Sequence, residues 1–343
     1  MITSFILAFL AVSVSVHPSG DNSVTLNNKP VAVRAFLKKQ SSRVFLFELP
    51  PTDAISEPFD AVLLQGVLPG PKARILVGVE ENEKIITWQQ ASVKVFENGR
   101  FWARAVWNGP KKGVLHVRAT AAEFYQEPLT IYSIETFLST GQPSPELSAP
   151  SVKPLARWQS VERPAIIDRK IWHAKPPKKA YQPLVPERYT QHHTSGHRTF
   201  SFEDSLAEVG FIQDFHQNGR GWSDIGYHFV IDGEGRIFEG RPVEVLGAHA
   251  KNHNTGNVGV AFLGYYQRPV NDRLNERQIE SAIDLYAWLS STYQVDPDSL
   301  RGHLDYKDTD CPGDLVYVLL DDFKAKIRER LKPAALDLSA ATR

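Results

Sequence analysis

Short apolar runs alternate with polar residues from Val24 to about Tyr132. They include Val31-Ala32-Val33 leading into Phe36, Arg43 to Phe47, Ala73 to Val77, Ser92 to Phe96 and Val114 to Arg118. A period of two, broken by turn residues, predicts β-strands. Asn98-Gly99, between Val95-Phe96 and Phe101-Trp102, predicts a tight hairpin because both positions tolerate positive φ. No helical period competes, so the stretch 24–135 is expected to form an all-β, sandwich-like domain. Trp88, Trp102 and Trp107 are expected chiefly to fill its core, with stacking on sugar rings as the competing use.

The pattern then changes. Residues 136–163 contain Pro143, Pro145, Pro150 and Pro154 without sustained periodicity, which predicts an interdomain linker. From 164 to 335, helical and strand periods alternate. Ser201 to Asp204 resembles a helix cap before Leu206, Val209, Ile212 and Phe215, which share one helical side. Tyr227 to Ile231, the turn Asp232 to Gly235, and Arg236 to Phe238 predict a hairpin. Val258 to Leu263 is a candidate central strand, being apolar and β-branched. Asn275 and Gln278 can cap a helix carrying Ile279, Ile283, Tyr286, Leu289 and Tyr293, which Pro297 would end. Leu315, Leu319, Phe323, Ile327 and Leu331, at steps of four, predict a last helix. This order implies an α/β domain with a mixed central sheet covered by helices.

Composition narrows the function classes. Lys plus Arg equals Asp plus Glu at 39 each, so no net basic field favours nucleic acid. Only Phe5 to Val16 is strongly apolar, and it falls short of the roughly 20 residues a spanning helix needs. The run suits a signal peptide over 1–15, and the expectation is a secreted or periplasmic protein with no membrane span. No feature specifies an oligomeric state. The single cysteine, Cys311, excludes an internal disulfide.

Candidate chemistry gathers in the second half. His192-His193 ends an extended segment, and His303 precedes Cys311 by eight positions in GHLDYKDTDCPG. Two imidazoles and a thiolate match zinc, and three protein ligands leave a fourth position open, as catalytic sites require. Adjacent strand residues point to opposite faces, so only one of His192 and His193 can join such a set, and spacing does not choose between them.

The segments IIDRKIWHAKPP, HHTSG, IQDFHQNGRGWSDIGYHFVIDGEGRIFEGR, GAHAKNHNTGNVGVAFLGYY and GHLDYKDTDCPG occur in this order between about residues 166 and 331. Together they resemble the peptidoglycan recognition protein and zinc-dependent N-acetylmuramoyl-L-alanine amidase family. The resemblance implies Zn²⁺ held by His192, His303 and Cys311, with Tyr227 as the catalytic tyrosine. Thr309 stands where animal amidases commonly carry threonine and would orient the attacking water. It further implies hydrolysis of the amide joining N-acetylmuramic acid to L-alanine, with peptidoglycan or muropeptides as partners. Arg241, His249, Asn254 and Asn257 are candidates for the substrate groove, and each also reads as a loop residue holding backbone. His193 and His228 read as second-layer or core residues, and Asp224 as a turn or capping residue. Two alternatives are a wall-binding receptor without turnover, which Cys311 opposes, and a recycling amidase for anhydro-muropeptides, whose third ligand is typically aspartate. Two departures stand out. Pro242-Val243 replaces the Gly-Trp pair associated with diaminopimelate-type stem peptides, leaving stem-peptide preference open, and His173 replaces the usual glycine after Trp172.

Overall fold

The structure is a computed structural model that describes residues 16–19, 23–26, 31–33, 36–38, 44–70, 72–82, 84–122, 126–139, 158–268 and 272–332. The expected signal peptide over 1–15 and most of the expected linker lie outside the described residues. The chain divides into two units. One comprises Met1–Pro18, Asn22–Val95 and Phe101–Gly141, and the other Ser19–Asp21, Phe96–Arg100 and Gln142–Arg343.

The first unit is all-β among its described residues, and its strands join into one array of eleven. The hairpin at Asn98-Gly99 forms: Gly99 adopts φ 77°, Gly99 N–H donates to the Phe96 carbonyl (3.0 Å), and Phe101 pairs with Val95. Sequence periodicity suggested separate strands around Phe101 and Val114, whereas a single 22-residue strand runs Arg100–Ala121. Its first residues pair with Ser92–Val95, and its last with Arg74–Glu81 and Val44–Glu48. Gly109 and Gly113 sit inside it at φ 100° and 121°, so the chain changes course there without leaving the strand. The core gathers Phe47, Phe59, Leu64, Val77, Phe101, Leu115 and Ile131. Trp107 belongs to that core, edge-on to Phe59 at 6.2 Å. Trp88 is half-buried, and the Arg118 guanidinium lies 4.3 Å from its ring centroid, so one face of this ring is already covered.

The second unit is α/β. Its strands are β1 (Ile166–Ile167), β2 (Arg188–His193), β3 (Phe229–Ile231), β4 (Ile237–Glu239), β5 (Asn257–Phe262) and β6 (Leu300–Gly302). They form one mixed sheet in the order β1-β4-β3-β5-β2-β6. The β3–β4 pair is the expected hairpin, antiparallel, although Tyr227 and His228 precede its first strand. β5 runs parallel to both β3 and β2 and is buried along its whole length, which explains its unbroken apolar run.

The helices are α1 (Phe202–Asp214), α2 (Glu276–Tyr293), α3 (Asp314–Tyr317) and α4 (Leu320–Arg330). Ser201 caps α1, its hydroxyl accepting from Asp204 N–H at 3.1 Å. A full capping box starts α2, with Asn275 Oδ1 accepting from Gln278 N–H (2.9 Å) and Gln278 Oε1 accepting from Asn275 N–H (3.4 Å). That helix ends at Tyr293, where Gln294 turns left-handed (φ 57°), before Pro297 is reached. The expected last helix is broken into α3 and α4, because Leu319 N–H bonds the Val316 carbonyl three residues back, tightening the chain into a turn. Ile283, Tyr286 and Leu289 of α2 and Phe323 and Ile327 of α4 share a core with Tyr189, Val258, Val260 and Phe262 of the sheet.

Candidate metal centre and active site

Strand direction brings the chemistry together. β2 and β6 are parallel neighbours with Gln191 opposite Gly302, so the next residues, His192 and His303, leave the same edge of the sheet. Their ring centroids are 4.5 Å apart. Cys311 returns to this edge because Leu304 N–H donates to its carbonyl (2.8 Å), and the His193 N–H points at its Sγ (3.4 Å). One ligand atom from each of His192, His303 and Cys311 lies within 4.8 Å of the others, the only such His/Cys/Asp/Glu group among the described residues.

The pleat separates the two adjacent histidines. Tyr189 and Gln191 bond α2: Tyr189 Oη lies 3.0 Å from Ser290 Oγ, and Gln191 Oε1 accepts from Tyr286 Oη at 2.9 Å. His193 continues that face, where its Nδ1 accepts from Tyr266 N–H (3.2 Å) and its ring stacks on Tyr265 at 5.5 Å. His192 points to the other face, with Nδ1 3.4 Å from Cys311 Sγ.

The residues fit a metal ion of zinc's chemistry. His303 Nε2 is buried and has no hydrogen-bond partner among the described residues, a costly state that a metal bond would relieve. Burial, then the neighbouring imidazoles, holds His192 well below the ordinary histidine range. Burial, then the Lys307 charge, does the same for His303. Both rings are therefore neutral and can ligate. Burial pushes the Cys311 thiol up to about 12, so a thiolate there needs a cation beside it.

Tyr227, just before β3, is half-buried with its ring 5.3 Å from that of His192. Thr309 Oγ1 accepts from Cys311 N–H at 3.3 Å and so shapes the loop that presents the thiol. Two groups that the sequence pattern did not single out also stand here. His216 lies 5.7 Å from the Tyr227 ring and stacks on Trp222 at 4.7 Å, and Lys307 is close enough for its charge to act on His192, His303 and Cys311. The signal for Lys307 was its place four residues before Cys311, while His216 has no local motif of its own.

The four groove candidates hold protein atoms. Arg241 donates from Nε to the Ile225 carbonyl and from Nη1 to the Leu246 carbonyl, each at 2.6 Å. Asn254 Oδ1 accepts from His249 N–H and Ala250 N–H, both at 2.9 Å. Asn257 accepts from Thr190 Oγ1 (2.9 Å) and donates to the His253 carbonyl (2.8 Å). His249 is buried, its Nδ1 2.9 Å from His192 Nε2 and its Nε2 3.0 Å from the Asn257 carbonyl. Asp224, fully buried, accepts from Arg169, Gln213 and Ile225 N–H, which ties the turn after β1 to the loop before Tyr227.

Comparison with known proteins decides the family at this point. Residues 182–314 match the family model described as N-acetylmuramoyl-L-alanine amidase. The second unit contains an amidase-family domain. Among relatives of this domain, peptidoglycan-recognition protein LB of Drosophila melanogaster is 34% identical over 151 residues, covering 43% of this chain and 64% of that protein. The N-acetylmuramoyl-L-alanine amidase of Sus scrofa is 34% identical over 161 residues, covering 46% of this chain and 27% of that protein. The chain thus spans less than two thirds of the length of these relatives. The solved structure of wild-type Drosophila PGRP-LB is 33% identical, with TM-score 0.42, covering 46% of this chain and 92% of that one. The amidase domain therefore has relatives named both as recognition proteins and as amidases.

Proposed function

We propose that the amidase-family domain hydrolyses the amide bond between N-acetylmuramic acid and L-alanine in peptidoglycan or its muropeptides, using Zn²⁺ held by His192, His303 and Cys311. The observation that carries this reading is the convergence of those three residues at one sheet edge, with His303 Nε2 buried and without a hydrogen-bond partner among the described residues. Zinc bound there supplies a Lewis acid that makes hydroxide available near neutral pH and polarises the amide carbonyl.

The chain's own residues would do the rest. Tyr227, whose ring lies beside His192, would donate its hydroxyl hydrogen to the oxygen that gains charge as the carbonyl is attacked. Thr309 Oγ1 already accepts from Cys311 N–H, so its own hydrogen remains to donate into the site and orient water. Lys307 adds positive charge near the ligands, which favours the thiolate form of Cys311. Among the described residues no helix is long and apolar enough to cross a membrane, and the apolar run Phe5 to Val16 supports export to where cell wall is found. A receptor without turnover would not need Cys311, whose presence favours the enzyme.

Elemental analysis paired with kcat on a defined muropeptide tests the proposal. Cys311→Ala, His303→Ala and His192→Ala should each lose zinc and turnover, while His193→Ala should keep zinc. Tyr227→Phe retains the ring, so it should keep zinc while kcat falls by roughly 10²–10³, the usual worth of an oxyanion donor. Thr309→Val should lower kcat less. Full turnover in Tyr227→Phe, or zinc retained in Cys311→Ala, would overturn the assignment.

A further inference from the structure

The polar contacts of His249 run in one direction. Its Nε2 faces the Asn257 carbonyl at 3.0 Å, and a carbonyl can only accept, so this nitrogen carries the hydrogen. Among the described residues the ring nitrogens bond only the Asn257 carbonyl and His192, with no carboxylate to balance a second proton. His249 Nδ1 is therefore a lone pair, and the group facing it, His192 Nε2 at 2.9 Å, must donate. A neutral imidazole has one N–H, so His192 keeps its other lone pair on Nδ1, the atom 3.4 Å from Cys311 Sγ.

We infer that His249 is a positioning residue: it fixes His192 in the Nε2–H tautomer and turns the Nδ1 lone pair toward Cys311 and His303. The inference rests on the proposed metal site and adds to it a group outside the three ligands. The fold builds a slot for this ring. A Cβ at Gly259 would lie 2.5 Å from His249 Cγ, and one at Gly247 would lie 2.6 Å from its Cδ2, so side chains at either position would displace it. Asn254 fixes the backbone on one side by accepting from His249 N–H. Asn257 supplies the carbonyl on the other, and its side chain bonds Thr190, two residues before His192 on β2. These contacts account for three of the residues that otherwise read as groove lining.

The test has two measurements on the full chain. Long-range ¹H–¹⁵N correlation spectra of the metal-free protein report which His192 nitrogen is protonated, and chelator competition gives zinc affinity. The metal-free wild type should show His192 as the Nε2–H tautomer. His249→Phe keeps a ring but removes the acceptor, so it should lose that preference and bind zinc about 10–100-fold more weakly. His249→Asn places Oδ1 near the lost Nδ1 and should recover part of both the tautomer preference and the affinity. Wild-type His192 protonated on Nδ1, or a folded His249→Phe binding zinc as tightly as wild type, would overturn the inference. These failures are distinct from failure of the metal reading itself, which would appear as a wild type that binds no zinc, whatever its His192 tautomer.

Discussion

His173 holds φ at +55°, a left-handed conformation that costs a side-chain-bearing residue about 1–2 kcal/mol. This explains, at the scale of one residue, why glycine is usual after the tryptophan in the family that the sequence resembles. The imidazole is exposed, and the turn around it is held by other groups: Trp172 Nε1 donates to the Glu239 carbonyl (2.9 Å), and Ala174 N–H donates to the Arg169 carbonyl (2.9 Å). His173→Gly should relieve the strain while adding about 0.5–1 kcal/mol of unfolded-state entropy. The expected outcome is a net gain of up to roughly 1.5 kcal/mol, read as a higher urea midpoint with unchanged m. A lower midpoint would mean that the histidine contributes something the turn geometry does not show.

At the scale of elements, His228 joins three segments. Its N–H donates to the Gly259 carbonyl (2.9 Å), its Nδ1 accepts from Gly259 N–H (2.9 Å), and its Nε2 donates to the Val245 carbonyl (2.8 Å). The approach to β3, strand β5 and the loop before His249 are thereby linked through a neutral ring. Burial, then the neighbouring His249, lowers its pKa from 6.5 to about 3. The folded state thus binds this proton less readily than the unfolded chain does. Stability from this group is fully present above pH 6.5 and is lost as pH falls toward 3, at up to about 1.4 kcal/mol per pH unit. Replacing it by Gln should lower stability at neutral pH and make the urea-derived pH slope between 6 and 4 shallower by up to one proton. An unchanged slope would show that His228 does not carry this linkage. Elements of this kind were only partly legible in the sequence. The α2 capping box and the Asn98-Gly99 hairpin were, because their signals are local. The division between α3 and α4 was not, since leucines at steps of four read the same through a tightened turn. Nor was the role of His228, whose partners lie far along the chain.

For the whole molecule, the amidase-family domain is organised so that parallel strands deliver His192 and His303, two of the proposed ligands, from distant sequence positions to one edge. The His, His and Cys types of the proposed ligand set were legible; spacing left the choice between His192 and His193 open and only the resemblance named His192, because which ring faces the cluster depends on which face α2 covers. Tyr189 and Gln191 settle that by bonding Ser290 and Tyr286, which leaves His192 on the opposite face. A centre assembled this way exists only when β2, β6 and the loop carrying Cys311 are in register, so zinc that binds it should favour the folded state over the unfolded one. At a free zinc concentration 100 times Kd, the linkage amounts to about 2.7 kcal/mol. For a unit of this size each kcal/mol shifts Tm by about 2–4 °C, so stripping zinc with a chelator should lower Tm by roughly 5–10 °C. Cys311→Ala should melt near the stripped protein and respond to neither zinc nor chelator, because the thiolate donor is gone. His193→Ala should still respond to zinc even if its baseline Tm falls, since its ring packs on Tyr265 on the α2-bonded face, away from the ligand set. A Tm insensitive to zinc in the wild type, measured on protein shown to be metal-free beforehand, would mean that the three side chains stand together without forming a metal centre.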